Sequence, residues 1–290
     1  MSVKNQITLS NIKEISAIYF ALLQSGYDYF ATERSSEHTD NIRRFVGCGT
    51  VPSFFSGIRQ NTCKVYPYWP RAAMLETASF YLSLDHFRFQ EYDAFREFIL
   101  SAGNIADYER DQSFWDWVED FPIALSEVLS DVTFQCYLEW ENKWIIEQNN
   151  KYEKELNIIK KCLDICVERY SSSVQDIQIV INPIKCVYSA DYHLKGKCFI
   201  FSSGAFNAES VIHEFLHHVI HNAVSKNGKE VLTNKKTYPG IDDSYYLSGD
   251  SVGQLNAFEE YVVRKMTKDV LALNFPEDID NYIEILIREL

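Results

Sequence analysis

Apolar residues recur three and four positions apart along most of the first 170 residues, and the alternation typical of strands is scarce there. This spacing places apolar side chains on one face of a helix, so this part of the chain is predicted to be helical. The clearest stripe runs from Ile145 to Tyr170 on a charged background and predicts one long helix. A coiled-coil seam would need more heptads than this stripe covers, so packing within the domain is favoured.

The pattern changes after the three serines at positions 171–173. Polar and β-branched apolar residues alternate from Asp176 to Asn182, and Pro183 closes the run. This alternation is typical of a strand. Lys197 to Ser202 is predicted to form a second strand, and Lys185 to Ser189 a third strand between them.

Three helices are predicted to follow the strands, at Glu209 to His221, at Leu255 to Leu271, and after Pro276. The predicted fold class is therefore α+β, mostly helical, with a small mixed sheet packed on the first of these helices. We divide the chain into an N-terminal helical region, residues 1–139, and a second region, residues 140–290, that begins with the long helix.

Composition favours a globular protein with a large aromatic core. The chain has 290 residues and is 46% hydrophobic, with 19 Phe and 18 Tyr, enough to bury a sizeable core without disulfides. Its net charge of −13 is opposite in sign to the charge that nucleic acid or an anionic membrane attracts. We therefore expect neither as a partner.

Several features favour the cytoplasm. The longest apolar run near the N-terminus, Ala17 to Leu23, is far shorter than the roughly 20 residues that span a bilayer. Met1 to Ser16 contains no basic region followed by a long apolar stretch, so no secretory signal is expected. The seven cysteines are odd in number and lack the spacing of a disulfide framework, which indicates reduced thiols.

The candidate chemistry lies in a cluster of histidines. His213, Glu214 and His217 form the motif HExxH, with His218 and His221 close behind. Residues four apart lie on one face of a helix, so His213 and His217 can bind one metal ion. Glu214 points elsewhere around the helix and can reach a water molecule as a general base. The alternative is an amphipathic helix whose histidines are merely solvated or buried.

A catalytic zinc site needs a third protein ligand and one open position. A metzincin would place a histidine six residues after His217, but Ala223 stands there. His221 lies about 6 Å further along the helix axis, too far to share the ion. The remaining candidates are Glu259 and Glu260, on the helix that follows the loop.

This succession of strand, HExxH helix, loop and glutamate-bearing helix resembles the gluzincin branch of the zincin metallopeptidases, over about residues 140–290. Gluzincins often carry Asp four residues after the ligand glutamate, whereas here Val263 follows Glu259 and Arg264 follows Glu260. The E-x-x-x-R spacing resembles bacterial zincin-like proteins of an uncharacterised subfamily and favours Glu260. Glu259 stays an alternative, because its helix face is also apolar and burial alone therefore does not exclude it as a ligand.

The resemblance also implies an oxyanion donor and a strand that binds substrate. Similar peptidases use a Tyr or His from between the two helices, and Tyr246 is our choice over Tyr245 and Tyr238. Phe199 to Gly204 resembles the edge strand that pairs with peptide substrates in zincins.

We therefore expect a zinc-dependent metallopeptidase, a hydrolase that acts on a peptide or protein substrate. His213, His217 and Glu260 would hold Zn²⁺, with Glu214 and Tyr246 as catalytic residues. The alternative is a catalytically inactive zincin-fold protein that binds zinc or regulates a partner. The sequence does not indicate an oligomeric state.

Overall fold

The computed structural model describes residues 6–26, 39–48, 52–56, 76, 120–185, 190–233, 237–248 and 250–289. This part of the chain is mostly helical and contains a small mixed sheet, as the predicted α+β class requires. The helices are α1 (Lys13–Gln24), α2 (Thr39–Arg43), α3 (Phe121–Ser130), α4 (Val132–Lys151), α5 (Glu153–Arg169), α6 (Ala208–Lys226), α7 (Gly228–Thr233), α8 (Asp250–Leu271) and α9 (Ile279–Glu289). A 3₁₀ helix, Asp243–Ser248, precedes α8.

The sheet contains β1 (Leu9–Ser10), β2 (Asp176–Ile181), β3 (Asp191–Lys195) and β4 (Cys198–Ser203), in the order β1-β2-β4-β3. β1, β2 and β4 run parallel, and β3 is antiparallel to β4. The expectation that Phe199 to Gly204 lies at the edge is wrong, because β4 pairs on both sides. The edge strands are β1 and β3, and the two-residue turn at Gly196 folds β3 back onto β4.

The third predicted strand, Lys185 to Ser189, falls mostly outside the described residues, which omit 186–189; Lys185 itself ends a turn after β2. The strand that follows β2 in the sequence, β3, begins at Asp191. Pairing of Lys195 with Cys198 decides its position, because a tight turn at Gly196, where φ is 60°, sets the register of the hairpin.

The long helix predicted across Ile145 to Tyr170 is divided into α4 and α5 at Tyr152. Tyr152 has φ −108° and ψ 16°, outside the helical range. Its ring lies 4.8 Å from that of Phe206, a tertiary contact that apolar spacing along the helix does not reveal. On α5, Cys162 and Cys166 are free thiols and buried in the core.

The two faces of the sheet pack against different helices. Ile179 of β2 and Phe201 of β4 belong to a core with α5, α6 and α8. Val180 and Ile200, which point the opposite way, belong to a second core with α1, α3 and α4. The central strands are therefore buried on both sides, which is why Phe199, Ile200 and Phe201 follow one another in β4 without a polar residue between them.

N-terminal residues contribute directly to this sheet. β1 pairs with β2, and the Asn149 side chain of α4 binds both backbone groups of Leu9, at 2.8 Å each. The predicted boundary between residues 139 and 140 falls inside α4. Among the described helices, none has the length and apolar content needed to cross a membrane.

A buried ion cluster ties the edge strand β3 to residue 76. Lys185 Nζ donates to Glu76 Oε1 at 2.9 Å, to Asp191 Oδ2 at 2.8 Å and to Ser202 Oγ at 3.2 Å. His193 contacts the other oxygen of Glu76 at 3.0 Å. Lys185 and Glu76 are both buried, so each charge is stable there only because the others compensate it. The cluster holds the beginning of β3 in place.

Candidate metal centre

The motif helix α6 is oriented by its cap and by its apolar face. The Asn207 side chain accepts hydrogen bonds from the backbone N–H groups of Glu209 at 2.8 Å and Ser210 at 3.3 Å, and so caps the helix. Ile212, Phe215 and other apolar residues of α6 are fully buried, and each contributes about 2 kcal/mol. The motif side chains are thereby turned towards α8.

Three potential ligand atoms converge where α6 meets α8. The Nε2 atoms of His213 and His217 lie 3.2 Å apart. Glu260 Oε2 lies 3.4 Å from the first and 3.3 Å from the second. The structure thus brings together the three residues that the sequence analysis favours as metal ligands.

The hydrogen bonds around His217 leave its lone pair pointing into this triangle. His217 Nδ1 lies 2.9 Å from Glu259 Oε1 and donates to it, so in a neutral ring Nε2 is an acceptor. Burial lowers the pKa of His217, but Glu259 and Glu260 outweigh that effect and raise it to about 9. The centre therefore attracts positive charge.

Glu259 supports the centre without belonging to the triangle. Its second oxygen accepts a hydrogen bond from His221 Nδ1 at 2.8 Å. The carboxylate thus spans His217 and His221, and it fixes the ring orientation of His217, as carboxylates behind metal-binding histidines do. His221 contacts Glu259 rather than the triangle, in agreement with its exclusion as a third ligand.

Arg264 holds the other oxygen of Glu260. Its Nε donates to Glu260 Oε1 at 2.5 Å, and its Nη1 donates to the carbonyl of Gly240 at 2.6 Å. Burial raises the pKa of Glu260, but hydrogen bonds from His213 and His217, together with Arg264, keep it well below the usual range. Glu260 therefore offers an ionised oxygen to the triangle.

Glu214 lines a cavity of about 550 Å³ beside the triangle. Burial raises the pKa of this carboxyl, against the opposing charges of His217 and His213. Within the described residues it forms no hydrogen bond or ion pair, so it is available to a molecule that enters the cavity. Glu214 lies next to the candidate ligands without joining them.

Of the three candidate tyrosines, Tyr245 lines the cavity. Burial, followed by the charge of Glu260, raises the pKa of its hydroxyl, and the guanidinium carbon of Arg264 lies 6.0 Å from the centre of its ring. The Tyr246 hydroxyl instead accepts a hydrogen bond from the backbone of Tyr238 at 2.9 Å. Tyr238 is buried and accepts from Gln254 at 2.8 Å. Tyr246, to which the sequence analysis assigned a catalytic role, is not among the residues that line this cavity.

Tyr192 is a neighbour of the site that the sequence analysis missed. It lies on β3, and its ring stacks on Phe199 with centroids 5.4 Å apart. Burial, followed by the charges of Glu259 and Glu214, raises its pKa to about 12. Its proximity to both carboxylates depends on where β3 pairs, and no local sequence signal reports that.

The triangle could hold a metal ion. Two imidazole nitrogens and one carboxylate oxygen lie 3.2–3.4 Å from one another, and the cavity lies beside them. Nitrogen and oxygen donors of this kind suit zinc and other first-row divalent metals.

Comparison of the chain with known protein families, with curated proteins and with solved structures finds no match. The geometry and chemistry of the site itself are therefore what indicate a function.

Proposed function

We propose that this protein is a zinc-dependent metallopeptidase with a zincin-like arrangement of sheet, motif helix and glutamate-bearing helix. The observation that carries the proposal is the triangle of His213, His217 and Glu260 ligand atoms, with the Glu214 carboxyl beside it in an open cavity. Two imidazoles and one carboxylate form a known catalytic zinc set. A structural zinc site would have four protein ligands instead.

His213, His217 and Glu260 would hold the ion. Glu259 would orient His217, and Arg264 would orient Glu260. Zinc supplies a Lewis acid that polarises the peptide carbonyl and brings the pKa of water close to neutrality. The contribution of the chain is a set of ligands in which His217 Nδ1 and Glu260 Oε1, the atoms that face away from the triangle, are already hydrogen-bonded.

Glu214 would act as the general base. It accepts a proton from water as the water oxygen bonds to the peptide carbonyl carbon. The carbon–nitrogen bond then breaks, and Glu214 passes that proton to the leaving amine. The second water proton stays on the new carboxylic acid, which then gives it to the amine, so the final products at neutral pH are a carboxylate and an ammonium group. Burial suits this exchange, because it raises the pKa of the carboxyl and favours proton uptake.

Tyr245 would donate a hydrogen bond to the oxyanion that forms as water adds. This role is supported by its place in the cavity wall and by its proximity to Glu260. Burial and the charge of Glu260 raise the pKa of its hydroxyl, so the phenol keeps its proton and stays a donor. We assign this role to Tyr245 in place of Tyr246.

Replacement of Glu214 by Gln tests the proposal. The amide preserves volume and leaves the ligands intact, but it cannot accept the proton. Wild type should contain close to one zinc per chain and cleave members of a broad peptide library. Glu214→Gln should keep its zinc while cleavage falls at least about 100-fold. Elemental analysis and mass spectrometry of the peptides measure the two properties.

Glu230→Gln is the matched control, because Glu230 is exposed on α7 and should keep both zinc and cleavage. A protein that never acquires zinc would refute the metal assignment. Zinc retained with equal cleavage by wild type and Glu214→Gln would refute the catalytic role. Zinc bound with no cleavage of any peptide would favour the inactive zinc-binding protein.

A further inference from the structure

The wall of the cavity formed by α8 carries two cations and one carboxylate. Glu260, Arg264 and Lys268 all line it, and residues four apart lie one above the other on the same helix face. Arg264 is paired with Glu260, so Lys268 leaves this wall with one positive charge in excess. In a chain whose net charge is −13, that charge attracts anions.

The two cations have different surroundings. Arg264 is engaged by Glu260 and Gly240, although its side chain is still 43% exposed. Lys268 is exposed, and among the described residues its side chain forms no ion pair or hydrogen bond. Glu209 lines the same cavity but is not paired with Lys268. The ammonium group of Lys268 is therefore available to a ligand in the cavity.

The spacing along α8 places these charges at a useful distance from the metal centre. Arg264 and Lys268 lie one and two turns beyond Glu260, about 6 and 12 Å along the helix axis. An extended peptide advances about 3.3 Å per residue. A peptide whose scissile carbonyl lies at the centre would thus bring a group about two to four residues away to the α8 wall of the cavity.

We infer that Lys268, assisted by the charge of Arg264, binds a carboxylate of the peptide substrate within about two to four residues of the scissile bond. The inference rests on the proposed peptidase function and adds a substrate class to it. A free C-terminal carboxylate and an acidic side chain offer the same chemistry. The first would make the enzyme act near chain ends, and the second would make it selective for acidic sequences.

Binding of labelled peptides to the zinc-loaded Glu214→Gln protein tests this without turnover. The probes are three fluorescein-labelled pools of random uncharged hexapeptides: one with a C-terminal acid, one with a C-terminal amide, and one amide pool with a single Glu. Fluorescence anisotropy should show the acid pool or the Glu pool binding about fivefold more tightly than the neutral pool. The pool that gains affinity identifies the source of the carboxylate.

Lys268→Met in the same background should abolish this preference and leave the affinity for the neutral pool unchanged. Lys265→Met is the control, because Lys265 is exposed on α8 but does not line the cavity, and it should keep the preference. Equal binding of all three pools, no measurable binding, or a preference that survives Lys268→Met would overturn the inference. Zinc content and cleavage by the wild type are measured separately, so the peptidase proposal can fail or stand independently.

Discussion

Glu259 and Glu260 are neighbours in the sequence, yet they contact the histidines from different sides. Glu260 Oε2 completes the triangle with His213 and His217. Glu259 faces the other nitrogen of His217 and also binds His221. A rotation of about 100° per residue around α8 is sufficient to separate a candidate ligand from the group that orients a ligand.

Substitution of the two glutamates by Gln should therefore weaken zinc binding to different extents. Loss of the carboxylate behind His217 in Glu259→Gln should cost about 10- to 100-fold in zinc affinity. Glu260→Gln removes a charged ligand and should cost clearly more. Competition with a chelator of known affinity measures both values, and circular dichroism verifies the fold. The reverse order would make Glu259 the ligand.

At the scale of elements, the cavity depends on close packing of the 3₁₀ helix against the first turns of α8. Gly253 makes this approach possible, since a Cβ atom there would lie 2.5 Å from the backbone oxygen of Tyr246. The same 3₁₀ helix carries Tyr245, which lines the cavity. Gly253 thus lies where the helix that bears this tyrosine packs against α8.

Gly253→Ala should displace the 3₁₀ helix and with it Tyr245. Ala normally stabilises a helix by about 1 kcal/mol relative to Gly. Here the steric overlap of its Cβ atom with the Tyr246 backbone should instead lower the free energy of unfolding by about 1–3 kcal/mol. Cleavage should fall while zinc, bound by α6 and α8, is retained. Urea unfolding, zinc content and peptide cleavage report these effects.

Gly228→Ala is the matched control for that substitution. A Cβ atom at Gly228 would meet only the side chain of Leu255, at 3.4 Å, which is ordinary contact. The free energy of unfolding of the Gly228→Ala protein should stay within about 1 kcal/mol of the wild-type value, and its peptide cleavage should be unchanged. If Gly253→Ala behaved like this control, the close approach to Tyr246 would have no role in shaping the site.

At the scale of the whole molecule, a buried carboxyl joins elements that are distant in the sequence. Glu141 on α4 accepts hydrogen bonds from Ser16 of α1 at 2.6 Å and from Asn11 at 2.9 Å. Its other oxygen accepts from Asn182, after β2, at 2.9 Å and from Tyr137 at 3.1 Å. Burial nevertheless dominates and raises the pKa of Glu141 from 4.5 to about 7.

This shift makes the stability of the protein depend on pH. Between pH 4.5 and about 7 the folded protein keeps the Glu141 proton and the unfolded chain does not. The stabilisation that comes from this retained proton is therefore fully present below pH 4.5 and is lost as the pH rises through 7. The free energy of unfolding changes by about 3 kcal/mol over this range. Over this range, wild type should lose that much unfolding free energy relative to Glu141→Gln.

Urea unfolding of both proteins at several pH values from 4.5 to 8 measures the difference. Glu139→Gln is the control, because Glu139 is exposed on the same helix, and its difference from wild type should not vary with pH. A constant difference between wild type and Glu141→Gln would show that the hydrogen bonds to the carboxylate offset its burial.

Local patterns in the sequence were sufficient for the features that repeat along one element. Alternation in Asp176 to Asn182 predicted β2, and three- and four-residue spacing predicted α6, α8 and α9. The distance between His213 and His217 follows from one helical turn, whatever the helix packs against. These predictions succeed because backbone geometry within a helix or strand is nearly invariant.

Tertiary structure decided what depends on packing between elements. Contact between α6 and α8 places Glu260, rather than Glu259, in the triangle, and the 3₁₀ helix that packs against α8 carries Tyr245, which lines the cavity. Pairing on both sides makes β4 an inner strand and leaves the edges to β1 and β3, and the contact of Tyr152 with Phe206 accompanies the division of the long helix. Each outcome depends on the relative rotation and register of elements distant in the chain, which is set when their apolar faces are buried together and not by spacing within either one.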